Sequence, residues 1–170
     1  MAPEPHESDI IFAEIGRVTV RWAELEDVLG ILIGALLDEY QRYTRIIAIE
    51  LSYSGLTNLL ASLYLERYGE DEDYERLKSL LARADTAEQR RNQIVHSTWR
   101  SAGAPHVVIR IKTTAKRRRG YATNVESYDA DRFREISDEI HGVARDLISF
   151  LRILIERGKA FDNPVFESKS

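Results

Sequence analysis

Ile11, Ile15, Val18, Trp22, Leu25, Leu29, Leu32 and Leu36 are spaced alternately by four and three residues. That repeat sets all eight on one stripe of an α-helix. Val28, Ile33 and Leu37 widen the stripe toward its end, so the second half is the more deeply buried. The pattern predicts a helix from about Asp9 to Asp38, with Asp9 as N-cap. Such a helix is ~45 Å long, whereas a compact domain of this size is only ~40 Å across. It therefore runs the length of an elongated bundle or offers part of its seam to another subunit. Gly30 and Gly34 each cost this helix about 1 kcal/mol relative to alanine, and close approach of a neighbouring backbone is the expected compensation.

Residues 44 to 68 read as helical, with a kink or a second start at Ser52-Tyr53-Ser54-Gly55. Gly69 to Asp73 reads as a solvated acidic turn whose carboxylates favour the next helix N-terminus. A helix follows over about Glu72 to Ala84. Asp85-Thr86-Ala87-Glu88 has the form of a capping box, so a further helix is expected to begin there and run through Trp99. After Ser101 to Pro105, residues 106 to 112 alternate as a β-strand, with His106 at its start. Gly120 to Ser127 returns as a second strand, with Lys116 to Arg119 at the hairpin tip. Asp129 or Asp131 caps a last helix, whose seam is Phe133, Ile136, Ile140, Val143, Leu147, Phe150 and Leu154, ending near Arg157. The expected fold class is all-α: an elongated bundle of about five helices, with a small hairpin (about 106–127) inserted before the C-terminal helix. It forms one domain over 1–170, with a core at 9–157 and loose tails at 1–8 and 158–170.

Composition narrows the chemistry. The chain has 170 residues and no cysteine, which removes disulfide scaffolds, thiolate metal sites and cysteine nucleophiles. Its longest apolar run is the ten residues Val28 to Leu37, half of the roughly 20 needed to span a bilayer. The acidic, proline-broken start is wrong for a signal peptide, so the expected setting is soluble and cytoplasmic, with no membrane partner. The net charge is −4, yet Arg110 to Arg119 holds six positive charges and no acid. A mildly acidic chain of this kind still presents a local surface to phosphate.

Among four histidines, His96 stands out for its company: Arg90, Arg91 and Asn92 lie in the same short helical stretch. Asn92 and His96 are four apart and share a face, so the amide oxygen can orient the imidazole; Val95 and Trp99 share that face and would partly desolvate the ring. Arg91 is about 140° away around an ideal helix, and a second copy from a partner subunit supplies a cation more easily. An imidazole and a guanidinium suit attack of a ribose 2′-hydroxyl on the adjacent phosphodiester. Histidine exchanges protons near neutrality, and arginine neutralises charge gathering on the phosphoryl oxygens. DNA lacks that nucleophile, so the chemistry selects RNA. No metal site and no cofactor are expected. Arg90, Lys112, Lys116, Arg117, Arg118 and Arg119 are the candidate RNA contacts.

Arg91-Asn92-Gln93-Ile94-Val95-His96 resembles the RNxxxH form of the Arg-x4–6-His motif of HEPN domains. The surrounding order also resembles that family: a long leading helix with Trp22 and Glu26, a helical pair, the motif late in a helix, then a closing helix. The resemblance implies an all-α fold and a metal-independent endoribonuclease of toxin–antitoxin, abortive-infection or related defence systems. It implies a homodimer with two motifs face to face, Arg91 and His96 as the catalytic pair and Asn92 as the orienting residue, with an antitoxin or regulatory protein as a further partner. The hairpin lies outside what the family implies. The alternative is a non-catalytic HEPN-like module that binds a nucleotide or a protein.

Overall fold

The computed structural model describes residues 7–37, 42–103, 107–116 and 120–160. Its elements are α1 (Glu7–Leu37), α2 (Arg42–Glu50), α3 (Tyr53–Tyr68), α4 (Glu72–Val95), β1 (Thr98–Ser101), β2 (Val107–Lys116), β3 (Gly120–Asp129) and α5 (Ala130–Glu156). The described residues are thus mostly helical, with a three-stranded antiparallel sheet before the last helix. None of their helices is long and apolar enough to cross a membrane. They form two compact units. One holds the residues up to Trp22 together with Thr86–Ile140; the other holds Ala23–Asp85 and the residues from His141 onward.

In the second unit, Leu25, Leu29, Leu32 and Leu36 of α1 are fully buried, as their spacing requires. A Cβ on Gly30 would stand 3.2 Å from the Ala48 methyl of α2. The approach that this glycine permits is therefore made by a small side chain. The break expected near Ser52 separates α2 from α3, and the Ser52 hydroxyl caps α3 by accepting from the Gly55 amide at 3.3 Å. Gly69, at φ 73°, closes α3, and its amide donates to the Leu65 carbonyl.

The acidic turn is solvated at Glu70 and Glu72, as expected, but not at Asp73. Asp71 caps α4 by accepting from the Tyr74 amide at 2.8 Å. Asp73 is only 2% exposed and accepts from Arg157 at 2.7 Å and Lys159 at 3.0 Å. Lys159 also bonds Asp71 and donates to the Tyr64 hydroxyl. Sequence distance hid these partners, which lie more than eighty residues away along the chain. Desolvation would lower the Lys159 ammonium, but its bonds to Asp71, Tyr64 and Asp73 outweigh it and hold it above the usual lysine range. The Lys159 hydrogen bond in turn lowers the Asp71 carboxyl, and burial pushes the Tyr64 phenol up to about 12.

The expected helix start at Asp85 is also corrected: α4 runs unbroken through it. A capping box needs a non-helical first residue, and no glycine or proline breaks the chain there. The Asp85 carboxylate is instead the acceptor for the Tyr53 hydroxyl, at 2.9 Å. At the start of α1 the helix is already formed at Glu7, so Asp9 lies within the first turn and not at the cap.

In the first unit, β1, β2 and β3 pair in sequence order, with Trp99 opposite Arg110, Arg110 opposite Glu126, and Val108 opposite Tyr128. The Trp99, Tyr128 and Phe133 rings meet at centroid distances of 5.0 to 5.4 Å and join this sheet face to the start of α5. Asp129 caps α5 by accepting from the Arg132 amide at 2.8 Å. The strands run longer than the alternation alone predicts, with ten paired positions from Val107–Asp129 to Lys116–Gly120.

Candidate functional site

The final turns of α4 carry Arg90, Arg91 and Asn92, and His96 is the first residue beyond the helix. Expectation had this helix continuing through Trp99; it stops at Val95, and Trp99 lies in β1. The physical reason is the competition for α4's last carbonyls, which have no partner within the helix. The Trp99 indole N–H donates to the Ile94 carbonyl at 2.9 Å, and the Ser97 hydroxyl to the Gln93 carbonyl at 2.5 Å. Thr98 and Trp99 are moreover better suited to a strand than to a helix. Val95 and Trp99 thus do not share a helical face beside His96.

Arg91 is the organised member of the set. Its guanidinium carbon lies 5.4 Å from the centroid of the Trp22 ring, within cation–π range. Nη1 donates to the Asn92 side-chain oxygen at 2.9 Å. Nε is shielded from solvent and makes no hydrogen bond. Trp22 is itself 2% exposed, so the guanidinium rests on a fixed surface. The Asn92 oxygen, expected to orient the imidazole, accepts from Arg91 instead. His96 is exposed, and its backbone amide donates to the Asn92 carbonyl at 3.1 Å. Helix α4 thus brings a braced cation and a solvent-accessible imidazole within two turns of one another.

The remaining candidate contacts divide. Arg90 is half-buried and paired with Glu139 at 2.5 Å. Lys112 is exposed on β2, and Lys116 is the last residue of that strand. Arg117, Arg118 and Arg119 lie outside the described residues, as does His106. Arg110, counted in the basic run, faces inward: it is 3% exposed, bonds Glu126 at 3.1 Å and lies 6.0 Å from the Tyr128 ring centroid. Alternation had placed it on a strand face without saying which face packs on the helices.

Sequence reasoning missed the role of Trp22. Its place in the apolar seam marks it as core, and nothing local signals a guanidinium arriving from α4. It also missed Glu14, which is buried in α1 and accepts from Arg134 at 2.9 Å. Among the described residues, no group of three or more His, Asp or Glu side chains converges in a form able to hold a metal ion. Comparison with protein families, with characterised proteins and with solved structures finds no match for this chain.

Proposed function

We propose that the chain is a HEPN-type, metal-independent endoribonuclease that acts as a homodimer, in the manner of a toxin or defence effector. The observation that carries this reading is the Arg91 guanidinium braced by Trp22 and Asn92, close along α4 to an exposed His96. His96 takes the proton of a ribose 2′-hydroxyl as its oxygen attacks the adjacent phosphorus. Arg91 neutralises the charge gathering on the phosphoryl oxygens. The 5′-oxygen leaves and is protonated by the His96 of the second copy. The products are a 2′,3′-cyclic phosphate and a 5′-hydroxyl end. The basic hairpin residues Lys112, Lys116, Arg117, Arg118 and Arg119 serve this reading as contacts to the RNA backbone, whereas Arg90 is engaged by Glu139.

The test is purified protein incubated with mixed RNAs in EDTA, beside His96→Ala and Arg91→Ala. Cleavage by the parent alone, with cyclic phosphate ends, is the expected result. Equal activity or equal inertness of parent and variants overturns the reading.

One observation favours the alternative, a module that binds a nucleotide or a protein without turnover. Among the described residues no side chain is hydrogen-bonded to the His96 imidazole, and the Asn92 oxygen accepts from Arg91. In that case RNA or nucleotide binding persists in His96→Ala, and no cleavage is seen with either protein.

A further inference from the structure

The sheet has two faces of different character. Trp99, Arg110 and Tyr128 share one by register, and it packs on the helical part of the unit. The other carries Thr98 and Arg100 from β1, Ile109, Ile111 and Thr113 from β2, and Tyr121, Thr123 and Val125 from β3. Apart from the half-buried Ile109 and Ile111, its residues are open to solvent, whereas the first face is closed at Arg110 and Tyr128 and open at Lys112 and Asn124. Tyr121 is 75% exposed, Val125 is 56% exposed, and Arg100, Thr113 and Thr123 are exposed as well. β1 pairs with β2 only as far as Ile111, so the strands continue past it as a two-stranded ribbon that bears Tyr121 near its end. The hydroxyls of Thr123 and Thr113 lie beside the Tyr121 phenol and draw it below the ordinary tyrosine value.

Charge along the chain adds an independent observation. From Gln89 to Val125 there are nine lysines and arginines and no Asp or Glu, although the whole chain has 28 acids and a net charge of −4. Arg90 and Arg110 in this stretch are neutralised by Glu139 and Glu126, and Arg91 is braced on Trp22. Arg100 is exposed on the outward face, whereas Lys112, in register with Asn124, is exposed on the face that carries Arg110. A face that joins an exposed aromatic ring and half-buried aliphatic side chains to an acid-free, cationic stretch is matched to a polyanion with flat apolar bases. It is poorly matched to an intact duplex, whose bases are stacked on one another and closed to an aromatic side chain.

We infer that the outward face of the sheet binds unpaired RNA, with Tyr121 stacking on a base and Arg100 contacting a phosphate. The two positions are six residues apart along the strand direction, or ~20 Å at the rise of a β-strand. The face therefore engages several nucleotides. This inference rests on the ribonuclease reading only for its choice of RNA over single-stranded DNA. It gives the hairpin the task of holding the strand to be cut.

The test is fluorescence anisotropy with a labelled single-stranded RNA and a duplex of the same sequence, on His96→Ala protein so that the probe stays whole. Preference for the single strand is expected. Tyr121→Ala should weaken it by about five- to a hundredfold, the range of one base–aromatic stack, while Tyr121→Phe retains it. Arg100→Gln should lower the salt slope by about 0.7, the share of one phosphate on a single strand. All three positions are exposed, so the variants keep the fold, as circular dichroism would check. Binding unchanged in Tyr121→Ala overturns the inference. So does a preference for duplex, or adhesion to anionic lipid vesicles without affinity for RNA. Tyr121-dependent binding without cleavage by the parent would remove the ribonuclease and leave the surface. Cleavage indifferent to Tyr121 would do the reverse.

Discussion

The Arg91 guanidinium lies 5.4 Å from the Trp22 ring centroid, although 69 positions separate the two residues along the chain. The ring lies within the core, and the Asn92 side-chain oxygen accepts a hydrogen bond from Nη1 of Arg91. The cation is thus held before any substrate arrives, which is what stabilisation of developing charge requires.

Replacing Arg91 by lysine should therefore not be conservative. An ammonium keeps the charge but loses the delocalised cation's contact with the Trp22 ring and its fork of donors. Cleavage by Arg91→Lys is expected to fall at least tenfold, with a melting temperature close to that of the parent. Rates from cleavage assays, set beside thermal melts, check both halves of the statement.

The Lys159 cluster sets the pH response of stability. The Asp71 carboxyl is lowered in the folded chain. Its contribution is present above the unfolded carboxylate value and is lost as pH falls through the folded one. Lys159 is raised, so its contribution is complete below the unfolded lysine value and is lost as pH rises through the folded one. Denaturant titrations should show Lys159→Met less stable than the parent at neutral pH, with the gap narrowing in acid. A gap independent of pH would show that the cluster does not act through its charges.

Arg110 should prove structural. Arg110→Ala removes a buried guanidinium from between Glu126 and the Tyr128 ring, and about 2–4 kcal/mol of stability should go with it. At temperatures where both proteins are folded, the salt slope of RNA binding should be unchanged, in contrast to Arg100→Gln. Urea unfolding and salt titrations measure the two quantities separately.

Gly30 is a packing residue. A valine there drives two further methyl groups toward Ala48, which already stands 3.2 Å from the position of a Cβ. Gly30→Val should cost about 1–3 kcal/mol despite removing a helical glycine, read as a lowered denaturation midpoint.

Sequence alone determined the two seamed helices α1 and α5, because a seam of three-and-four spacing has one solution that buries it. Leu25, Leu29, Phe133 and Leu147 lie where that spacing requires. The break before α3 was equally legible and the cap of α5 was narrowed to Asp129 or Asp131, since Ser52 and Asp129 act on amides three residues away. Tertiary structure decided what depends on partners far along the chain. The carboxylate of Asp85 reads as a cap until Tyr53 reaches it, and Asp73 reads as solvated until Lys159 and Arg157 close over it. Trp99 follows a helix in sequence but joins a strand, because its indole serves the Ile94 carbonyl and its ring finds Tyr128 and Phe133. Local patterns report only the interactions that close within a few residues, and the bracing of Arg91 by Trp22 is not among them.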